Sequence, residues 1–157
     1  LFSDKIFNNI TLFNDNISES QVWDSIDQVG ARRFIEALPN KLNFNVKERG
    51  ASLSVGQRQL ISCIRIMLYD PKIILLDEAT SSVDSETESM IQSAISKILK
   101  NRTSIVVAHR LSTIKEVDNI IVLENGEIKE IGDHNSLNKS GGYYRRLYEM
   151  QNKNILT

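Results

Sequence analysis

The chain has 157 residues and a net charge of −1, and 41% of its residues are hydrophobic and 25% are charged. This length allows one domain with its own core, and the composition is ordinary for a globular protein. A nearly neutral chain gives no electrostatic reason to expect a nucleic-acid partner. No run of about 18 apolar residues occurs, so the sequence predicts no membrane-spanning helix.

The first residue and the single cysteine add two expectations. The chain starts at Leu1, without methionine or a signal-peptide pattern, so we expect it to be a piece of a longer protein. Cys63 cannot form an internal disulfide, which fits a reducing compartment. Because Cys63 lies in an apolar helical pattern, we predict a buried thiol with no nucleophilic role.

Helical patterns occupy the first part of the chain. Ser18 and Gln21 have the spacing of a capping box, and the apolar residues that follow at helical spacing stop at Gly30. A second short helix is predicted over residues 32–38, because Pro39 cannot continue it.

A loop and a longer helix come next. Residues 40–50 are polar and predict the loop, after which apolar residues recur at helical spacing from Ser54 to Asp70. Residues 73–76 then form a short apolar run, which predicts a buried strand.

Helices and strands alternate in the second half. Residues 85–88 are predicted to be a capping box with Ser85 as its first residue, and a helix with one apolar face follows. Residues 105–108 predict a fully buried parallel strand. A hairpin is predicted around residues 124–126, and a terminal helix over residues 143–150.

Two adjacent carboxylates follow the apolar run 73–76. A buried strand that delivers Asp77 and Glu78 to its carboxyl end can place a Mg²⁺ partner beside a catalytic base, as nucleotide hydrolases do. Taken alone, the dipeptide fits a solvated strand end better. The continuation Ala79-Thr80-Ser81-Ser82-Val83-Asp84 favours the functional interpretation.

The segment Leu53-Ser54-Val55-Gly56-Gln57 opens the long helix. Ser54 is predicted to be its N-cap, and the first amides and the dipole of such a helix favour a bound phosphate. Because Val55 is β-branched, its φ should be negative. Capping and phosphate binding use the same geometry, so both interpretations of Ser54 stand.

In this order and spacing, the two segments resemble the signature and Walker B elements of ATP-binding cassette (ABC) ATPases. Ala108-His109-Arg110-Leu111-Ser112 is similar to the H-loop of that family, and Glu48-Arg49-Gly50 is similar to the X-loop of exporters. The tail from Gly126 to Leu147 resembles the end of exporter ATPase domains. The resemblance covers most of the chain and is to the exporter type.

The resemblance implies roles for the carboxylates and the histidine. Asp77 would hold Mg²⁺, Glu78 would polarise the attacking water, and His109 would contact the γ-phosphate of ATP. A lone histidine at a strand end is more often structural, and only the surrounding pentad favours the phosphate contact. His134, by contrast, is interpreted as structural.

The resemblance also implies ATP-binding residues at the subunit interface. Ser54, Val55, Gly56 and Gln57 would bind ATP held by the opposite subunit, chiefly through the Ser54 hydroxyl and the Gly56 amide. Members of the family usually carry glycine where Val55 stands. Asp84 falls where the family's D-loop aspartate contacts the partner.

The implied fold is α/β, of the P-loop NTPase type. A helical subdomain with the signature would occupy residues 1–70, and a parallel βαβ core ending in a hairpin and a helix would occupy residues 71–157. The implied partners are a second nucleotide-binding domain and the coupling helices of a transmembrane domain, at the cytoplasmic face of the membrane.

No Gly-x-x-x-x-Gly-Lys-[Ser/Thr] sequence occurs, so the chain has no Walker A loop for the β- and γ-phosphates. It would cover roughly the last three-fifths of the domain, and we expect it to be inactive alone. Two alternatives are a DNA-repair or chromosome-maintenance ATPase, disfavoured by the exporter-like tail, and a naturally truncated, inactive partner-binding module.

Overall fold

The computed structural model describes residues 1–77, 83–107, 114–115 and 117–154. These residues form two compact units: the first contains the described residues up to Leu76 and from Val83 to Ile105, and the second contains Asp77 and the described residues from Val106 onward. The division into residues 1–70 and 71–157 stays a prediction.

Each unit combines helices with strands. The first contains α1 (Ile6–Thr11), α2 (Glu19–Val29), α3 (Arg32–Ala37), α4 (Val55–Tyr69), α5 (Ser85–Leu99) and most of β1 (Ile73–Asp77) and β2 (Thr103–Val107). The second contains β3 (Ile120–Glu124), β4 (Glu127–Gly132), α6 (His134–Ser140) and α7 (Tyr143–Asn154). This architecture confirms the predicted α/β fold. Within the described ranges, no helix is both long and apolar enough to cross a membrane.

The predicted capping box of α2 is present in full. The Ser18 hydroxyl accepts from the Gln21 amide at 3.3 Å, and the Gln21 side chain accepts from the Ser18 amide at 2.8 Å. The helix ends at Gly30, whose φ of 82° is in the left-handed region that glycine adopts without strain.

Helices α1, α2, α4 and α5 enclose the core of the first unit. Its fully or nearly fully buried side chains include Ile6, Ile10, Val22, Ile26, Leu60, Ile61, Ile64, Ile91 and Ala94. Cys63 is buried here as predicted, and burial raises the pKa of its thiol to about 11. A thiol with that pKa is protonated at neutral pH, which agrees with the prediction of no nucleophilic role.

Two side chains of α4 hold the carboxyl end of α1. Arg65 Nε donates to the Asn9 carbonyl at 2.5 Å, and the Tyr69 hydroxyl donates to the Thr11 carbonyl at 2.5 Å. The last carbonyls of a helix have no donor within it, so α4 supplies the missing donors.

The segment 40–50 is more ordered than the predicted loop. It contains two 3₁₀ turns, Lys41–Asn43 and Glu48–Gly50, and Val46 donates its amide to the Asp4 carbonyl at 2.8 Å. Leu42 and Val46 are buried. Their burial depends on the neighbouring amino-terminal segment, which sequence periodicity does not reveal.

The predictions of buried strands at residues 73–76 and 105–108 are both wrong for alternate residues of each run, among those that the structure describes. β1 and β2 pair as a two-stranded parallel sheet. Ile74 is 4% exposed, but Leu75 is 75% exposed and Ile105 is 62% exposed. Successive side chains of a strand point to opposite faces, so one face of this sheet packs against the helices, while on the other face the described side chains are exposed.

The capping box predicted from Ser85 is also wrong. α5 begins at Ser85, and its N-cap is Asp84, whose carboxylate accepts from the Thr87 amide at 2.9 Å. Asp and Ser cap equally well, and a carboxylate also interacts favourably with the helix dipole. The predicted apolar face of α5 is confirmed, since Ile91, Ala94, Ile95 and Ile98 are buried and Leu99 is half-buried.

The second unit is built on the predicted hairpin. β3 and β4 pair antiparallel, from Ile120 with Gly132 to Glu124 with Glu127. Asn125 and Gly126 both have positive φ, as a two-residue turn of type I′ requires. The terminal helix is confirmed as α7, whereas the short α6, capped by Asp133, was not predicted.

Candidate nucleotide-binding site

The exposed start of α4 has the geometry predicted for it. The Ser54 hydroxyl accepts from the Gln57 amide at 3.1 Å, and the Gln57 side chain accepts from the Ser54 amide at 3.0 Å. The first amides of a helix have no acceptor within it, and the helix dipole places positive partial charge there. An anion such as a phosphate therefore fits this end of α4.

Val55 occupies the first helical position of α4. Its φ is not positive, as predicted, and its side chain is 39% exposed. Valine at this position therefore keeps the backbone helical and adds an apolar surface beside Ser54.

Arg58 holds the segment that precedes α4 in place, a role that was not predicted from the sequence. Its Nη1 donates to the Leu53 carbonyl at 2.8 Å and to the Gly50 carbonyl at 3.3 Å. Gly50 has a φ of 77° and belongs to the 3₁₀ turn Glu48–Gly50. The available signal was a long cationic side chain one turn after the N-cap, within reach of the preceding carbonyls.

Asp84 lies at the start of α5, next to the start of α4. The hydrogen bond from the Thr87 amide holds the pKa of the Asp84 carboxyl below its usual value. The contact between the two helix starts is made by Gly56, which packs against Val83 and Thr87. The structure thus brings the residues predicted to bind ATP together in one unit: Ser54, Val55, Gly56, Gln57 and Asp84.

Asp77 ends β1 and is exposed. Among the described residues, no group of three or more His, Cys, Asp or Glu side chains could hold a metal ion. Asp77 alone still fits Mg²⁺, which keeps several waters and often takes one or two carboxylates together with substrate phosphates. Glu78 and His109, the predicted catalytic residues, lie outside the described residues.

His134 lies in the second unit, among aromatic side chains. Its Nδ1 is 2.6 Å from the Tyr144 hydroxyl oxygen, and its ring contacts Tyr148 at 5.2 Å between centroids. Burial raises the pKa of Tyr144. These contacts support the structural interpretation of His134.

The capped start of α4 can accept an anion, and a carboxylate ends β1 in this α/β fold. A family model described as "ABC transporter" matches residues 1–81. The chain therefore belongs to the ABC transporter family.

Individual relatives agree with this assignment. The chain is 44% identical over 151 residues to the probable multidrug resistance ABC transporter ATP-binding/permease protein YheH of Bacillus subtilis, a match covering 96% of this chain and 22% of that protein. It is 45% identical over 152 residues to the ATP-dependent lipid A-core flippase of Shewanella oneidensis, covering 96% of this chain and 25% of that protein.

Among solved structures, a bacterial Atm1-family ABC exporter with ATP bound matches with a TM-score of 0.83 and 37% identity, covering 96% of this chain and 26% of that one. The resemblance to exporter-type ABC proteins is confirmed. The chain spans only a minor part of the length of the relatives it matches.

Proposed function

We propose that this chain is part of the ATPase domain of an ABC exporter and that the start of α4 binds ATP held by a second such domain. The observation that carries the proposal is the exposed helix cap at Ser54 and Gln57, which are joined by two hydrogen bonds and lie beside Asp84. The chain belongs to the ABC transporter family, whose matched relatives are named as ATP-binding proteins.

At the start of α4 the residues have separate roles. The Ser54 hydroxyl and the Gly56 amide bind the γ-phosphate, while Gln57 keeps Ser54 in place through their reciprocal hydrogen bonds. Val55 contributes its backbone amide. Asp84 contacts the second domain.

Catalysis belongs to Asp77 at the end of β1 and to the residues that follow β1 and β2 in sequence. Asp77 holds Mg²⁺, which supplies charge neutralisation at the phosphates when bound. Glu78 orients and polarises the attacking water, and His109 donates a hydrogen bond to the γ-phosphate. Because the chain has no Walker A sequence, it does not hydrolyse ATP alone.

The partners are a second nucleotide-binding domain and a transmembrane domain, at the cytoplasmic face of the membrane. Closure of the two ATPase domains around ATP drives export, and hydrolysis resets the transporter. The substrate is selected by the transmembrane part.

Ser54→Arg in the full-length protein tests this proposal. The cation should fill the phosphate position and abolish ATP-driven dimerisation while ATP binding by monomers stays nearly unchanged. Size exclusion with and without ATP, beside nucleotide affinity of monomers, measures the two effects.

Ser18→Arg is the matched control, because Ser18 and Gln21 form the same capping box on α2. This variant should dimerise normally with ATP. Equal loss of dimerisation in both variants would show that Ser54 only caps its helix.

A further inference from the structure

The starts of α4 and α5 meet at a position where only glycine fits. Gly56 is buried in the first turn of α4, and a Cβ built on it would lie 2.4 Å from Thr87 Cγ2 and 2.7 Å from Val83 Cγ1. Real Cβ atoms do not approach other atoms this closely. The φ of Gly56 is not positive, so the backbone itself does not require glycine. Glycine is required because Gly56 packs against the start of α5 and the residue Val83 before it.

This contact joins the two parts of the candidate site. Gly56 follows Ser54 by two residues, and Val83 and Thr87 flank Asp84 in sequence. Thr87 is held from two directions: its amide donates to the Asp84 carboxylate at 2.9 Å, and its methyl group faces Gly56. A displacement of either helix start therefore pushes directly on the other.

We propose that the contact of Gly56 with Val83 and Thr87 couples phosphate binding at the α4 start to the partner contact of Asp84 within one subunit, with Val83 and Thr87 as positioning residues. This inference rests on the proposed function above. Because coupling between two sites is reciprocal, engagement of Asp84 by the partner also sets the affinity of the α4 start for phosphate.

The direction in which Gly56→Ala changes the melting temperature distinguishes this contact from a free surface. Alanine forms helices better than glycine, so Gly56→Ala would stabilise α4 if the space beside it were open. The contact predicts the opposite, a lower melting temperature. Val83→Ala together with Thr87→Ser removes both opposing carbons, and serine keeps a hydroxyl at this position.

The experiment compares variants of the full-length protein for ATP-driven dimerisation and for melting temperature. Gly56→Ala should weaken ATP-driven dimerisation about tenfold, within the usual range of coupling between sites. The Gly56→Ala, Val83→Ala variant should still dimerise weakly with ATP, because Thr87 Cγ2 still blocks the new Cβ. Adding Thr87→Ser should restore dimerisation to the level of the Val83→Ala, Thr87→Ser protein.

Three results would overturn the inference. The first is normal dimerisation of Gly56→Ala. The second is a triple variant that regains melting temperature but not dimerisation, since its Cβ would then act on the nucleotide instead of on α5. The third applies if Gly56→Ala alone does not fold. The Val83→Ala, Thr87→Ser protein is then compared with and without Gly56→Ala, and the inference expects equal ATP-driven dimerisation. Weaker dimerisation of the protein that carries Gly56→Ala would contradict the coupling.

Failure of the proposed function looks different. Ser54→Arg would then leave ATP-driven dimerisation intact, while the melting temperatures of the Gly56 series would still show the packing contact.

Discussion

The starts of α2 and α4 carry the same local chemistry but differ in their surroundings. Ser18 with Gln21 and Ser54 with Gln57 form the same reciprocal pair of hydrogen bonds. Near the α2 start, the Trp23 indole donates to Glu19. The α4 start instead has Gly56 pressed against a second helix start. A helix cap therefore becomes a candidate phosphate site through the residues that lie beside it.

The largest expected effect concerns hydrolysis. Glu78→Gln in the full-length protein should bind ATP but hydrolyse it ~10²–10⁴-fold more slowly, the usual contribution of a general base. ATP should then hold a stable dimer, measured by size exclusion. Adding Ser54→Arg should disperse that dimer, whereas adding Ser18→Arg should not. Hydrolysis at the wild-type rate would remove Glu78 from the base role.

His109→Ala should reduce turnover about 10²-fold, as the loss of one preorganised hydrogen-bond donor does, with little change in ATP binding. Turnover and melting temperature are measured on the same preparation. A lower melting temperature with full turnover per folded molecule would instead make His109 structural.

Local chemistry made the helices readable from the sequence. The caps at Ser18 and Ser54 and the stop at Gly30 each depend on residues within one turn of one another, so the pattern contains the whole interaction. The one error of this kind, Ser85 in place of Asp84, is a choice between two good capping residues one position apart.

Features that depend on tertiary contacts were not readable. The exposure of Leu75 and Ile105 depends on what lies over each face of the sheet, and the burial of Val46 depends on the amino-terminal segment. In the candidate site, Ser54 and Asp84 were each predicted from the sequence to be site residues. The contact of Gly56 with Thr87 joins residues that are 31 positions apart in sequence, so only the folded structure reveals it.

The carboxyl half of α4 should contribute to stability and not to nucleotide binding. Arg65→Met removes the donor to the Asn9 carbonyl and should lower the free energy of unfolding by about 2 kcal/mol, the range for a hydrogen bond from a charged group. Urea unfolding followed by circular dichroism measures this. Tyr69→Phe, which removes the neighbouring donor to Thr11, should cost less because that bond is neutral. No loss in either variant would contradict the proposed hold on α1.

Smaller and equal effects are expected from removing the two caps. Ser18→Ala and Ser54→Ala should each lower the free energy of unfolding by about 1 kcal/mol, the usual value of an N-cap side chain. Only Ser54→Ala should also weaken ATP-driven dimerisation. If both variants weakened it alike, the comparison between the two helix starts would fail.

The smallest effect is a dependence of stability on pH through Asp84. Its folded pKa is below the ordinary value because the carboxylate accepts from the Thr87 amide. A carboxyl with a lowered folded pKa adds stability above its unfolded pKa, near 3.9, and loses it as the pH falls through the folded value. Asp84→Asn still caps α5 but cannot titrate, so wild type and variant should differ at neutral pH and converge in acid. Melting temperatures between pH 7 and about pH 3 test this. A difference that stays constant across that range would mean that the charge of Asp84 does not stabilise α5, and that this residue acts on the helix only as a hydrogen-bond acceptor.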